Sequence, residues 1–341
     1  MTRTPAKNRL RVLMVMATGT GEFGGMEKHT VELASALSER GLDICLASDP
    51  AYHSHLPDKV GREAIPAAAS RRSPRLLWRL LRLIAHRDYD IVHAQGTKAA
   101  QLIAAIAPFA RRPHYVATLH GFKSRYPGPG PFKTVIAVSH ALARDIGYVN
   151  TRVIYNGILP APTPALGDRL PAIGNPPLWL AVGRLVPAKG FDILVRAFKN
   201  VPGTLWIAGE GPQRPQLTRL IEETGQQERI RLLGHSDQVA TLMARCDRLV
   251  ISSRREGFSY VFAEAMLAGI PLVATDVPVA NEFLPPELIA PTEAPEALAM
   301  TMNRLDDNLH LLEIPRARAR EQLTLDAMAD QSLALYRELM S

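Results

Sequence analysis

Two short stretches concentrate residue types that could do chemistry. The first is Gly183-Arg184-Leu185-Val186-Pro187-Ala188-Lys189-Gly190. It separates a strand-like run from a helix-like run, so Arg184 and Lys189 emerge at the end of a strand. Two cations there suit a diphosphate, because arginine offers a planar fork to phosphate oxygens and lysine a compact point charge. The second is Glu256-Gly257-Phe258-Ser259-Tyr260-Val261-Phe262-Ala263-Glu264-Ala265-Met266. Ser259 is a candidate helix N-cap, Glu256 precedes the helix, and Glu264 falls about five residues into it. The amides of Gly257, Phe258 and Ser259 gather where a helix N-terminus favours a phosphate. A carboxylate before the helix can reach sugar hydroxyls, and one in its first turns can accept both hydrogen bonds of a ribose diol. Glu264 sits among Val261, Phe262, Ala265 and Leu267, where an unpartnered carboxylate would be costly.

A third stretch, Gly19-Thr20-Gly21-Glu22-Phe23-Gly24, spells GxGxxG between a strand and a helix. Such a loop can cradle a dinucleotide, provided an acidic residue follows about 20 positions on to hold the ribose. Asp49 meets that spacing only loosely, since it lies past the next strand-like run. The pair Gly24-Gly25 opens the helix directly, as an anion-binding loop would. An NAD-linked oxidoreductase is thus one competing reading.

The elements that must position these residues alternate along the chain. Strand-like runs at 11–17, 44–47, 91–93, 114–118 and 134–138 are interleaved with helix-like runs at 27–40, 75–86, 98–109 and 140–146. The pattern restarts with strands at 178–183, 204–208, 230–233, 249–252 and 272–274 and helices at 190–198, 213–224, 239–244 and 260–268. Short, apolar, β-branched strands alternating with helices predict parallel sheets in an α/β architecture. Between the two series, Pro160–Pro177 holds six prolines and two glycines in eighteen residues. Proline removes a backbone donor and fixes φ, so this segment reads as a linker. The expected division is a first domain over 1–160, a linker over 161–177, a second domain over 178–322 and a final helix over 323–341 returning to the first domain.

The chain has 341 residues, of which 47% are hydrophobic and 21% charged. That is enough apolar material for two packed cores. Cys45 and Cys246 are too few for a disulfide framework and form no CxxC pair, which fits a reducing cytosol. The apolar run 10–17 is short and broken by Arg11, so a buried strand explains it better than a signal peptide. No run is apolar for long enough to span a membrane. The net charge of +7 favours anionic partners. Zinc fingers, basic zippers and aromatic RNA-binding motifs are missing, so nucleic acid is not expected.

Several blocks together resemble the retaining glycosyltransferases of family 4, which have the GT-B fold. They are residues 24–37 (GGMEKHTVELASAL), 90–100 (DIVHAQGTKAA), 118–121 (TLHG), 137–146 (AVSHALARDI), 153–158 (VIYNGI), 183–198 (GRLVPAKGFDILVRAF), 206–212 (WIAGEGP) and 256–276 (EGFSYVFAEAMLAGIPLVATD). The resemblance implies two Rossmann-like domains facing across a cleft. It implies that Arg184 and Lys189 hold a donor's diphosphate as it departs, that Glu256 contacts the transferred sugar, and that Glu264 contacts the ribose. Gly24 and Gly25 would lie near the phosphates from the opposite domain, and His120 near the sugar. Gly234 and His235 would border the nucleobase through backbone groups. The donor would be a nucleotide-diphosphate sugar, with UDP favoured over GDP. The acceptor would be a glycolipid, lipopolysaccharide core or polysaccharide.

Breaking a sugar–phosphate bond builds charge on the leaving diphosphate, which preorganised charges and dipoles can stabilise. Some transferases use a metal held by a DxD motif, and the chain is read as having none. Arg184, Lys189 and the helix N-terminus are therefore expected to act without a metal or cofactor. The resemblance implies retention at the anomeric carbon by a front-face path. One departure from the family lies at 275–282 (TDVPVANE), which lacks the glycine pair usual before the next glutamate. On 71–84, Arg75, Arg79 and Arg82 share a helical face, while Leu76, Leu77, Leu80, Leu81 and Ile84 cover most of the rest. The leucines are expected to face the domain. The arginines suit peripheral contact with an anionic inner membrane. A nucleotide-sugar epimerase on the same scaffold and a non-catalytic binding module are the remaining alternatives.

Overall fold

The computed structural model describes residues 9–19, 23–159 and 175–341. Most of the proline-rich segment expected as a linker, and Thr20–Glu22 of the glycine loop, lie outside the described residues. The chain divides into two units, with boundaries between Gly157 and Ile158 and between Thr324 and Leu325.

The first unit carries strands β1 (Arg11–Met16), β2 (Asp43–Ser48), β3 (Gly61–Ala64), β4 (Ile91–Gln95), β5 (His114–Leu119), β6 (Phe132–Ala137) and β7 (Thr151–Val153). They form one parallel sheet in the order β3-β2-β1-β4-β5-β6-β7. Helices α1 (Gly25–Glu39), α2 (Pro74–His86), α3 (Gly96–Ile106) and α4 (His140–Ile146) connect them. The central strands β1 and β4 are buried almost throughout, which is why they read as continuous apolar runs. In α2, Leu76, Leu80, Leu83 and Ile84 are buried while Arg75 and Arg79 are exposed.

The second unit repeats the plan with β8 (Leu178–Val182), β9 (Thr204–Ala208), β10 (Ile230–Gly234), β11 (Arg248–Ile251), β12 (Leu272–Thr275) and β13 (Ile289–Ala290). All pairings are parallel, in the order β10-β9-β8-β11-β12-β13. Its helices are α5 (Phe191–Phe198), α6 (Arg214–Glu223), α7 (Val239–Arg245), α8 (Tyr260–Leu267), α9 (Ala280–Phe283), α10 (Pro295–Asn303) and α11 (Glu313–Gln322). The last helix, α12 (Leu325–Met340), belongs to the first unit and packs on α1. Leu325, Met328, Ala329, Ser332, Leu335 and Tyr336 form its buried face, at the spacing of an amphipathic helix. Arg40 at the end of α1 pairs with Asp326 (2.8 Å) and Asp330 (2.6 Å) of α12.

Strands β3, β7 and β13 escape a reading by apolar pattern. β3 (Gly-Arg-Glu-Ala) is largely exposed at a sheet edge, β7 has three residues and β13 two. In both sheets the strand order reverses next to the first strand, between β1 and β4 and between β8 and β11. Ligands in such sheets sit beyond the carboxyl ends of the strands at that reversal.

Candidate active site

In the second unit the reversal point is built from two loops. The loop after β8 runs through Gly183 and Arg184 to a tight turn at Pro187–Lys189, closed by Gly190. Gly190 has φ +64°, and a Cβ there would collide with the Ser252 carbonyl oxygen, so only glycine lets the two loops meet. The contact is laced by hydrogen bonds. Ser252 Oγ donates to the Lys189 carbonyl (3.0 Å) and the Arg254 amide to the Ala188 carbonyl (2.8 Å). The stem of Lys189 lies along Gly183, which has no side chain to displace it.

This lacing places Lys189 against Glu256, far away in sequence. Lys189 Nζ donates to Glu256 Oε1 at 2.6 Å, and Ser253 Oγ donates to the same oxygen at 2.6 Å. The carboxylate is 8% exposed and the lysine 24%. Both line a small cavity with Val182, Ser253 and Ser259. Ser259 caps α8, accepting from the Phe262 amide at 3.3 Å, so the α8 N-terminus opens beside the ion pair.

The other expected residues of this unit are placed as follows. Arg184 is exposed, shares the loop of Lys189 and makes no ion pair among the described residues. It does not line the small cavity, and neither do Gly257 and Phe258. Gly257 is half-buried, and Phe258 is buried with its ring edge-on to Tyr260. Glu264 is half-buried at the fifth position of α8. Gly234 ends β10 with φ +81°, its carbonyl accepting from the Gly209 amide at 2.7 Å. The His235 side chain is exposed and pairs with Asp237 at 2.9 Å.

In the first unit, Gly24 and Gly25 open α1 without a capping side chain. His120 follows β5 and belongs to a buried cluster that sequence reading missed. His120 Nε2 lies 3.1 Å from Gln95 Oε1, so this nitrogen carries the proton. Gln95 Nε2 in turn reaches the His93 ring at 3.4 Å, while His93 bridges Thr118 Oγ1 (2.7 Å) and the Tyr336 hydroxyl of α12 (2.6 Å). The His29 ring stands edge-on to His120, 4.6 Å between centroids. Burial pushes His93 down to about 3 and His29 to about 4, and holds His120 well below the usual imidazole range. All three rings are therefore neutral at pH 7.

Contrary to the reading that the chain has no DxD, this unit contains one such triplet, Asp88-Tyr89-Asp90, just before β4. Asp90 accepts from the Arg11 amide at 2.8 Å and Asp88 pairs with Arg112. The triplet thus ties together the amino ends of β1 and β4, at the opposite end of the sheet from the reversal crevice.

Family models match both halves of the chain. The "Glycosyltransferase Family 4" model matches residues 23–161 and the "Glycosyl transferases group 1" model residues 176–308. The chain belongs to the family-4 glycosyltransferases. It is 28% identical over 274 residues to the lipopolysaccharide core biosynthesis glycosyltransferase LpsD of Rhizobium meliloti, covering 77% of this chain and 78% of that one. Two solved structures share its fold. A glycosyltransferase from Rickettsia africae superposes with TM-score 0.81 at 21% identity, covering 98% of this chain and 99% of that one. Anabaena HepE in complex with UDP superposes with TM-score 0.79 at 22% identity, covering 96% and 100%. The fold is GT-B.

Two features of this glycosyltransferase were not legible in its motifs. Arg254 clamps the site loops from behind, holding both oxygens of Asp192 (2.6 and 2.8 Å), the Pro187 carbonyl (2.9 Å) and Glu293. The guanidinium holds the Asp192 carboxyl below its usual range. Its adjacency to Glu256 was the available signal. Where the family's glycine pair is lacking, Val279 takes φ 71° and ψ -52°. That is a strained conformation for a β-branched residue, and its side chain is fully buried.

Proposed function

We propose that this glycosyltransferase moves a sugar from a nucleotide-diphosphate sugar, UDP favoured and GDP second, to a glycolipid, lipopolysaccharide core or polysaccharide, with retention and without a metal. The observation that carries the reading is the Lys189–Glu256 pair at the β8/β11 reversal. An ammonium, an exposed guanidinium on the same loop and the α8 N-terminus supply fixed positive charge for a departing diphosphate. Glu256, its Oε1 held by Lys189 and Ser253, is an acceptor for the hydroxyls of the transferred sugar. Glu264 would take the ribose, the backbone at Gly234 and His235 the base, and Gly24 and Gly25 the phosphates. Neutral His120 would serve the sugar as a hydrogen-bonding group. In a front-face path the leaving phosphate takes the proton of the acceptor hydroxyl, and the protein needs no base of its own. The UDP in HepE and the lipopolysaccharide core role of LpsD support the donor and acceptor classes.

The deciding experiment is a thermal-shift screen of nucleotide-sugars, followed by an assay of nucleoside diphosphate release with and without acceptor, in EDTA. Release that depends on acceptor supports transfer. Conversion of the donor to its epimer without acceptor would replace this reading.

We assign the protein to the cytoplasmic face of an anionic membrane, held peripherally. Among the described residues no helix is long and apolar enough to cross a membrane. The outer face of α2 carries Arg75, Arg82 and the exposed Trp78, with Arg82 stacked 5.2 Å from the Trp78 ring. At roughly 1 kcal/mol per basic residue near an anionic surface, Arg75→Gln with Arg82→Gln should weaken binding to phosphatidylglycerol vesicles about 30-fold. Equal sedimentation of variant and parent would refute the surface role.

A further inference from the structure

The first unit holds a cavity of about 630 Å³ that shares only His120 with the donor contacts proposed above. It lies beyond the carboxyl ends of β1, β4 and β5, at the β1/β4 reversal, with Thr18, Gly96 and His120 in its wall. Its charge is one-sided. Arg71, Lys98 and Lys123 line it, and among the described residues that line it none is Asp or Glu. None of the three cations makes an ion pair among the described residues. Arg71 donates to Gln101 Oε1 (3.0 Å) and Lys98 to the Ala67 carbonyl (2.6 Å), both neutral acceptors.

Two further observations point to a ligand. Helix α3, eleven residues long, begins at Gly96 straight off β4 with no capping side chain, and its first-turn residues Gly96, Thr97 and Lys98 belong to the wall. The unsatisfied amides of that turn add positive potential where the three cations converge. In the same wall, Thr18 Oγ1 and His120 Nδ1 are buried and have no hydrogen-bond partner among the described residues. With Nε2–H committed to Gln95, His120 Nδ1 is a bare acceptor, and Thr18 brings a hydroxyl. The wall therefore combines uncompensated positive charge with unsatisfied neutral polar atoms, the complement of a molecule that is both anionic and hydroxylated.

We propose that this cavity binds an anionic sugar, so that the acceptor of the transfer carries a phosphate or carboxylate held by Arg71, Lys98, Lys123 and the α3 N-terminus. This rests on the glycosyltransferase reading and adds the acceptor's charge to it. The cations set specificity. A neutral saccharide of the same size leaves three like charges facing an empty anion subsite.

The test uses the full chain and protein-detected NMR titration with glucose 6-phosphate, glucuronate, glucose and inorganic phosphate. The expected result is that glucose 6-phosphate or glucuronate binds at least tenfold tighter than glucose and than inorganic phosphate. Preference for the first identifies a phosphate, and preference for the second a carboxylate. Arg71→Gln and Lys98→Gln should each weaken that binding at least tenfold. The melting shift produced by UDP should persist in both variants, which shows that they fold. Glucose binding as tightly as its anionic derivatives would overturn the proposal, and so would variants that bind like the parent. Failure of the parent to bind UDP would instead count against the donor reading, and leaves the anion titration interpretable.

Discussion

Replacing Lys189 separates the structural from the chemical role of its ion pair. Glu256 is 8% exposed, and its Oε1 accepts from both Lys189 and Ser253. Stripping the partner from a buried pair typically costs about 3–5 kcal/mol. The lysine keeps 24% of its surface in water and Ser253 still donates, so Lys189→Ala should cost roughly 2 kcal/mol of stability, somewhat below that range. Glu256→Gln keeps an acceptor for both donors and should cost about 1 kcal/mol. The double variant should be more stable than the sum of the singles by about 1 kcal/mol, since an amide without the lysine is not a stranded charge. The chemical cost is larger. Losing a preorganised charge at a leaving group removes roughly 3–4 kcal/mol of transition-state stabilisation, a turnover lower by about 10²–10³. Urea unfolding reads the first quantity, and nucleoside diphosphate release at saturating donor the second. Near-parental turnover in Lys189→Ala, with strictly additive stabilities across the cycle, would refute the reasoning.

Stability should fall steeply in mild acid. His29 and His93 ionise at about 4 and about 3 in the fold, and His120 is lowered as well. An unfolded histidine ionises near about 6.5. Below that pH the unfolded chain takes up protons that the fold refuses. The stability present above it is therefore lost as pH falls, by roughly 2 kcal/mol per histidine at about pH 5. Urea titrations at neutral and mildly acidic pH check this, and a flat profile contradicts the burial. Gly190→Ala must fit a Cβ against the Ser252 carbonyl on left-handed backbone. It should pry the two site loops apart, costing roughly 3 kcal/mol and the UDP-induced melting shift. An unaltered shift would count against the lacing of those loops. Val279→Gly loses a fully buried side chain but relieves about 1–3 kcal/mol of backbone strain. It should therefore cost at least about 1 kcal/mol less than Val273→Gly in β12, where the equally buried side chain sits on relaxed strand backbone. Equal losses in chemical denaturation would mean that no strain is stored at Val279.

Local pattern determined a great deal of this protein. The two α/β series follow from apolar runs of strand length alternating with amphipathic stretches, because a parallel sheet covered on both faces demands that period. The concentration of cations in Gly183–Gly190 and of carboxylates in Glu256–Glu264 was also legible, since each stretch sits at a strand–loop–helix joint that the apolar pattern marks. β3, β7 and β13 were not legible, because such short edge strands carry little buried surface and hence little pattern. What only the tertiary structure decided is which groups meet. The approach of Lys189 to Glu256 depends on Gly190 admitting the Ser252 backbone. The Tyr336–His93–Gln95–His120 chain depends on a helix from the far end of the sequence packing on α1. The convergence of Arg71, Lys98 and Lys123 comes from three separate connections of one sheet. Hydrophobic periodicity acts along the chain and sets the elements. Coulombic and hydrogen-bonding partners are chosen across it, and they become visible only once the chain has folded.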